Sequence, residues 1–215
     1  MTSLHTCIID DGRTPAGAGR QDTYLQPGAY FVGGAPHRVR TLLGSCVSIT
    51  MWNRERRIGA MSHFLLAARP ARGAGTACLD GRYGDEALRL MLEELALYGI
   101  GPADCEAKIF GGGHMFPGMK TKGAFDIGRR NGETARALLQ GLGARVVSEN
   151  LFGNGHRYLV FDIASGHVWL RRAHEGIEPA PRQGVAAWQR PRGSDGGIPE
   201  VCRGPSAPEQ QPVVK

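Results

Sequence analysis

A cysteine and a histidine, Cys46 and His63, stand 17 positions apart, and the sequence around each is patterned to present it. Cys46 follows Thr41-Leu42-Leu43-Gly44-Ser45 and precedes a run in which Val47, Ile49 and Met51 alternate with Ser48, Thr50 and Trp52. That period of two predicts a strand with one face turned inward. The sulfur then sits where loop becomes sheet, beside the backbone N–H groups of Gly44 and Ser45, where the glycine offers no side chain to shield them. Such donors stabilise a thiolate or a developing oxyanion. Residues 57–66 read as a second strand carrying His63 among apolar neighbours, and the short polar link around residues 53–56 predicts a hairpin. A hairpin brings the thiol and the imidazole side by side as nucleophile and base. A third polar group usually orients such an imidazole, and Thr41 is the nearest suitable hydroxyl upstream. His114 is the rival base, with a loop residue as its plainer reading. Cys46 as a small hydrophobe, His63 as a core histidine and Thr41 as an ordinary strand residue are the plainer readings of the trio.

The elements that must position these groups follow from pattern. Residues 29–32 form a short first strand, and 33–36 turn the chain back toward Cys46. Residues 69–78, with Pro70, Gly73 and Gly75, read as a loop that shapes access to the site. From 83 to 98, Ala87, Leu88, Met91, Leu92 and Leu95 define one helical face, which Gly99 and Pro102 terminate. A strand at 107–110 runs into Gly111-Gly112-Gly113. No G-x-x-x-x-G-K-[ST] pattern is present, so this triplet is not a phosphate-binding loop, and close backbone packing beside the site is expected. A second helix is predicted over 132–142, a strand over 144–150, and a hairpin from 156–162 and 167–171. The fold class expected is an α/β (α+β) sandwich, with mixed β-sheets and two main helices outside.

Composition bounds the rest. The chain has 215 residues and 41% hydrophobic content, enough for one packed domain with extensions. That domain is expected over 26–173, with 1–25 a flexible N-terminal extension. Seven of the thirteen prolines fall beyond residue 175, so 174–215 is expected to be a disordered Pro/Gly-rich tail. No apolar run approaches the roughly 20 residues that span a bilayer, and no secretory signal stands at the N-terminus. No membrane insertion is expected, and the cytoplasm is the default. Five cysteines without a C-x-x-C pair argue against a disulfide framework or a zinc site and for free thiols. The formal charge of +6 is spread too evenly to argue for nucleic acid.

Taken in order, Leu43-Gly44-Ser45-Cys46-Val47, Ile58-Gly59-Ala60-Met61-Ser62-His63-Phe64-Leu65-Leu66, Lys108-Ile109-Phe110-Gly111-Gly112, Ile127-Gly128-Arg129-Arg130-Asn131, and Gly153 with Arg157 resemble the CheD family of chemoreceptor glutamine deamidases. The resemblance covers about residues 29–171. It implies a Cys–His–Thr trio carried by Cys46, His63 and Thr41, no metal and no cofactor, and a sandwich similar to that of the cytotoxic necrotizing factor deamidases. It implies hydrolysis of glutamine side chains to glutamate in methyl-accepting chemotaxis receptors through a thioester. Methylesterase activity is chemically accessible by the same route. A regulatory docking module for a CheC-type phosphatase is the reading from a different class, and a general cysteine hydrolase or transglutaminase is a third.

Overall fold

The computed structural model describes residues 8–9, 20–70, 78–115 and 127–172. Ten strands and two helices run in the order β1 (Ile8–Ile9), β2 (Gln21–Tyr24), β3 (Tyr30–Gly34), β4 (His37–Leu43), β5 (Val47–Asn53), β6 (Ile58–Ser62), α1 (Gly84–Ala96), β7 (Glu106–Gly111), α2 (Ile127–Gly141), β8 (Arg145–Leu151), β9 (Arg157–Asp162) and β10 (His167–Arg172). One sheet has the order β1-β10-β9-β4-β2 and the other β3-β6-β5-β7-β8. Each mixes parallel with antiparallel pairs, so the molecule is a mixed α/β fold of two mixed sheets and two helices.

Period-two alternation explains how the layers assemble. Along β5, Val47, Ile49 and Met51 join Ala60 and Phe64 in a core with the buried faces of α1 and α2. The other side of the same hairpin turns Trp52 and Met61 toward Val39, Leu43, Leu159 and Phe161 of the first sheet. The second sheet is therefore covered on both faces, by the helices and by its partner sheet. All seven residues of β5 are buried, which is why its polar positions Ser48 and Thr50 are buried too.

Helix α1 buries Ala87, Leu88, Met91 and Leu95, and Gly99 ends it in the left-handed conformation at φ 65°. Helix α2 begins five residues before the expected start, at Ile127, because Gly128, Asn131 and Gly132 extend the buried stripe of Ala135 and Leu139 toward the N-terminus. These residue types read locally as loop, and tertiary packing makes them helix. Residues 21–24, within the stretch expected to be a flexible lead-in, form β2 and pair in parallel with β4. The forked contact from Arg38 Nε and Nη2 to Asp22, at 2.6 and 2.9 Å, fastens that edge. Most of the expected extension at 1–25, all of the expected tail at 174–215 and residues 71–77 of the expected access loop lie outside the described residues. Cys46 and Cys105 are free thiols, whereas Cys78 is disulfide-bonded, a pairing with no signature in the cysteine spacing. Among the described residues, no helix is long and apolar enough to cross a membrane.

Candidate active site

The turn Gly44-Ser45-Cys46 is where the chain leaves β4 in one sheet and enters β5 in the other. Cys46 thus sits at the seam between the sheets, half-buried against the core they share. Val47 and Phe64 exchange backbone bonds of 3.1 and 3.0 Å, and Thr50 faces Met61, so the β5–β6 register is fixed on both sides of the site. In that register Cys46 and His63 lie diagonally across the hairpin on one face, the face turned to the first sheet.

From the first sheet, Thr41 of β4 reaches across. Its Oγ1 stands 2.7 Å from His63 Nδ1 and donates to the Leu25 carbonyl at 2.8 Å. A hydroxyl has one hydrogen to give, so at His63 it accepts, and the imidazole carries its proton on Nδ1. Nε2 is left as a bare lone pair, buried and without a hydrogen-bond partner. Leu25 is itself held by a 2.7 Å bond from its N–H to the Arg40 carbonyl. The backbone of His63 is fixed to the turn leading into β3 by bonds of 2.9 and 2.7 Å with Ala29 and Gly28.

Burial pushes the His63 imidazole from 6.5 down to about 4, opposed in part by hydrogen bonding to the Leu25 backbone. Burial likewise raises the Cys46 thiol, opposed by that residue's own backbone N–H. At neutral pH the resting pair is therefore a thiol and a neutral imidazole, a general base beside a protonated nucleophile rather than a preformed ion pair.

The nucleophile turn is held by its carbonyls. Gly113 N–H donates to Gly44 O at 2.8 Å, Gly112 N–H to Cys46 O at 2.8 Å, and Asn131 Nδ2 to Ser45 O at 3.2 Å. Because C=O and the following N–H lie antiparallel in one peptide plane, pinning the Gly44 and Ser45 carbonyls inward turns the Ser45 and Cys46 N–H groups the other way. The N–H groups of Gly44 and Ser45 donate to no partner among the described residues, and that of Cys46 to none beyond its own sulfur. Asn131 also donates to Leu65 O at 2.7 Å, so one buried amide ties the turn to the segment that follows β6.

The glycine triplet packs as expected. A side chain on Gly111 would run into the Cys46 carbonyl, and one on Gly112 would stand 2.6 Å from Gly128 O. Met115 covers the turn, its Sδ 2.8 Å from where a Gly44 side chain would begin. His114 lies in the loop against residues 153–155, bonded through its backbone to Gly153 and Gly155, whereas the Thr41 hydroxyl engages His63. Sequence reasoning singled out Cys46, His63, Thr41, Gly44 and Ser45, all of which meet at this seam. It gave no role to Asn131 or Leu25. The one available signal was Asn131 at the end of the Ile127–Asn131 motif. Among the described residues no group of three or more His, Cys, Asp or Glu side chains could hold a metal ion.

Known proteins share much of this sequence. The family model described as CheD chemotactic sensory transduction matches residues 65–172. The chain is 58% identical over 150 residues to the Probable chemoreceptor glutamine deamidase CheD 2 of Albidiferax ferrireducens, covering 69% of this chain and 85% of that protein. It is 41% identical over 169 residues to the Probable chemoreceptor glutamine deamidase CheD 1 of Chromobacterium violaceum, covering 78% and 86%. With the Probable chemoreceptor glutamine deamidase CheD of Pseudomonas fluorescens it shares 38% identity over 160 residues, covering 74% and 89%. A family match over half of the chain, and relatives covered over most of their length, have one reading: this chain belongs to the CheD family.

Proposed function

We propose that the chain hydrolyses glutamine side chains of chemoreceptors to glutamate through a thioester on Cys46, with His63 as general base and acid and Thr41 as its orienting partner. The relatives' names state the same reaction, and a glutamine deamidase is an amide hydrolase. The single observation that carries the mechanism is the Thr41–His63 contact, which leaves an unprotonated Nε2 on the face that also holds Cys46. His63 Nε2 takes the Sγ proton as sulfur attacks the carboxamide carbon, and the oxygen of the tetrahedral intermediate is received by the Ser45 and Cys46 N–H groups. The imidazolium returns its proton to the leaving nitrogen, ammonia departs and the thioester remains. Water then gives a proton to Nε2 and its oxygen to the acyl carbon; the C–S bond breaks, the proton returns to sulfur and glutamate is released.

The same proposal takes the expected domain at 26–173, extended at its N-terminal edge by β2 and Leu25, as the deamidase domain and the cytoplasm, where receptor signalling helices lie, as its setting. Two sheets sharing one apolar core, with both helices on one side, support the sandwich likeness to the cytotoxic necrotizing factor deamidases. Docking of a CheC-type phosphatase is the companion proposal, carried only if partner binding persists without Cys46. The test of the deamidase is direct: receptor fragments incubated with the full chain release ammonia and gain the mass of amide-to-acid exchange at glutamine, and Cys46→Ala abolishes both. Undiminished ammonia release by that variant sinks the mechanism.

A further inference from the structure

Each helix carries a second stripe beside the one it buries. On α1, Asp85, Leu88, Arg89 and Leu92 recur at spacings of three and four, and on α2 Thr134, Ala137, Leu138 and Gly141 do the same. Together with Leu142, and alone among the described residues, they line a groove of about 560 Å³ between the two helices. Pockets of about 300–1,000 Å³ are the size in which proteins hold apolar groups. Leu88 is buried, Leu92 and Leu138 are half-buried against the core beneath, and Leu142 stays 37% exposed. On the α2 side Ala137 is exposed and a β-carbon on Gly141 would meet nothing within 4 Å, so the groove stands open.

The chain itself brings an apolar segment to this place. Beyond Arg172 the longest uninterrupted apolar run is Val185-Ala186-Ala187-Trp188, and Trp188 is the only Phe, Trp or Tyr there. Arginines flank the run at 182, 190 and 192, with no acid between residues 179 and 194. Helix α1, by contrast, carries four acids against one arginine. Of the charges that line the groove, Arg89 is turned to Glu93 at 2.8 Å, while Asp85 is exposed and pairs with no cation among the described residues. An apolar floor with an acidic rim meets an apolar run with basic ends. Distance allows the meeting. Arg172 ends β10 with its Nη1 4.0 Å from the β-carbon position of Gly153, and the neighbouring Phe152 ring packs on Gly132 of α2. From there residues 173–184 can span up to about 40 Å, against a helix diameter of about 10–12 Å.

We infer that residues 182–192 dock in the α1–α2 groove of their own chain, with Trp188 laid on Leu88, Leu92 and Leu138 and the flanking arginines at the acidic rim of α1. The indole has about 150–250 Å² of surface to bury, and Ala186 and Ala187 let the segment come close against Ala137 and Gly141. Tethering makes weak contact sufficient. A short linker holds the segment at an effective concentration on the order of 1 mM, so an intrinsic Kd of about that size already half-fills the groove. The groove is then shut to any other apolar partner until the segment is displaced.

The full chain labelled with fluorotryptophan tests this, because Trp52, Trp169 and Trp188 each give one fluorine resonance, the last assigned by its loss in Trp188→Phe. The expected spectrum places Trp188 away from its position in a synthetic peptide of residues 180–192, and Ala137→Arg returns it to that position. Ala137 is exposed, so the added side chain fills the groove without entering the core. Gly141→Arg, in open space one turn on, has the same effect, and unshifted Trp52 and Trp169 signals show that both variants fold. Asp85→Lys or raised salt moves Trp188 part of the way. Val146→Arg, the same charge on the exposed face of β8, leaves it displaced. A Trp188 signal at the peptide position in the wild-type chain overturns the docking, as does a displaced one that ignores both groove substitutions or that Val146→Arg abolishes equally. A displacement that fades on about tenfold dilution belongs to the tail of a second copy and also overturns it.

Discussion

Thr41 and His63 come from different sheets, and the 2.7 Å contact between Thr41 Oγ1 and His63 Nδ1 is the polar link across the seam on which Cys46 sits. Since the same hydroxyl spends its proton on Leu25 O, it can only accept from the imidazole, and this sets which nitrogen faces the thiol. Thr41→Val keeps the volume and removes the acceptor. The expected result is a loss of about 10- to 100-fold in kcat for ammonia release with KM little changed, and recovery of much of it in Thr41→Ser. Equal losses in kcat and thermal stability, with no rescue by serine, would assign Thr41 a packing role instead.

Asn131 holds the turn from behind. Replacing it by leucine leaves the carbonyls of Ser45 and Leu65 unpaired in a buried place, at a cost of about 1–3 kcal/mol in unfolding free energy. Because the Ser45 carbonyl and the Cys46 N–H share one peptide plane, the variant also loses the aim of an oxyanion donor. Single-turnover thioester formation is expected to slow by about tenfold or more while receptor-fragment affinity holds. A variant that acylates at the wild-type rate would show that the turn keeps its shape without the amide.

How much of this was legible depended on the range of the interaction. The β5–β6 hairpin, α1 and the β9–β10 hairpin declare themselves through local period and turn residues, so the Cys46–His63 pairing followed from register. The grip on the turn did not. Asn131 reaches Ser45 over 86 positions, and a glycine triplet announces close packing without saying against what. Likewise β2 is a polar edge strand whose partner supplies the order its own composition does not. Arg157 was legible only as a residue type at a motif position; that its two Nη atoms go unpaired while Nε bonds Asn150 is a property of the folded state.

The acid limb of activity should lie low. Burial depresses His63 to about 4 in the folded protein, below its ordinary 6.5. The neutral base is therefore present above 6.5 and lost only as pH falls through about 4, and kcat/KM should stay level from neutral pH until that point. Stability follows the same sign: the unfolded chain binds the His63 proton first, so the contribution of the buried neutral ring is complete above 6.5 and drains away as pH falls to about 4. Relative to His63→Gln, the wild type should lose on the order of 3 kcal/mol of unfolding free energy across that window. An acid limb centred near 6.5, with no differential stability loss, would mean that the ring is solvated or already ion-paired with the thiolate.

Gly111 offers the sharpest test of the turn's tolerance. At φ 116° it occupies backbone space that side chains avoid, and a β-carbon there would run into the Cys46 carbonyl and stand 3.0 Å from Val47 Cα. Both obstacles are backbone, which cannot rotate away as a side chain would. Gly111→Ala must then either flatten that torsion, breaking the Gly112-to-Cys46 bond, or push the start of β5 outward. Either movement shifts the sulfur relative to His63. Destabilisation of about 2 kcal/mol or more is expected, together with a fall in acylation rate that lowering the temperature to restore folding does not recover. Gly143→Ala, also at positive φ but with nothing within 4 Å, carries the torsional strain without the collision and should cost stability while sparing the acylation rate of the folded fraction. If the two variants acylate alike, the collision at Cys46 is relieved without cost and the triplet does not set the position of the nucleophile.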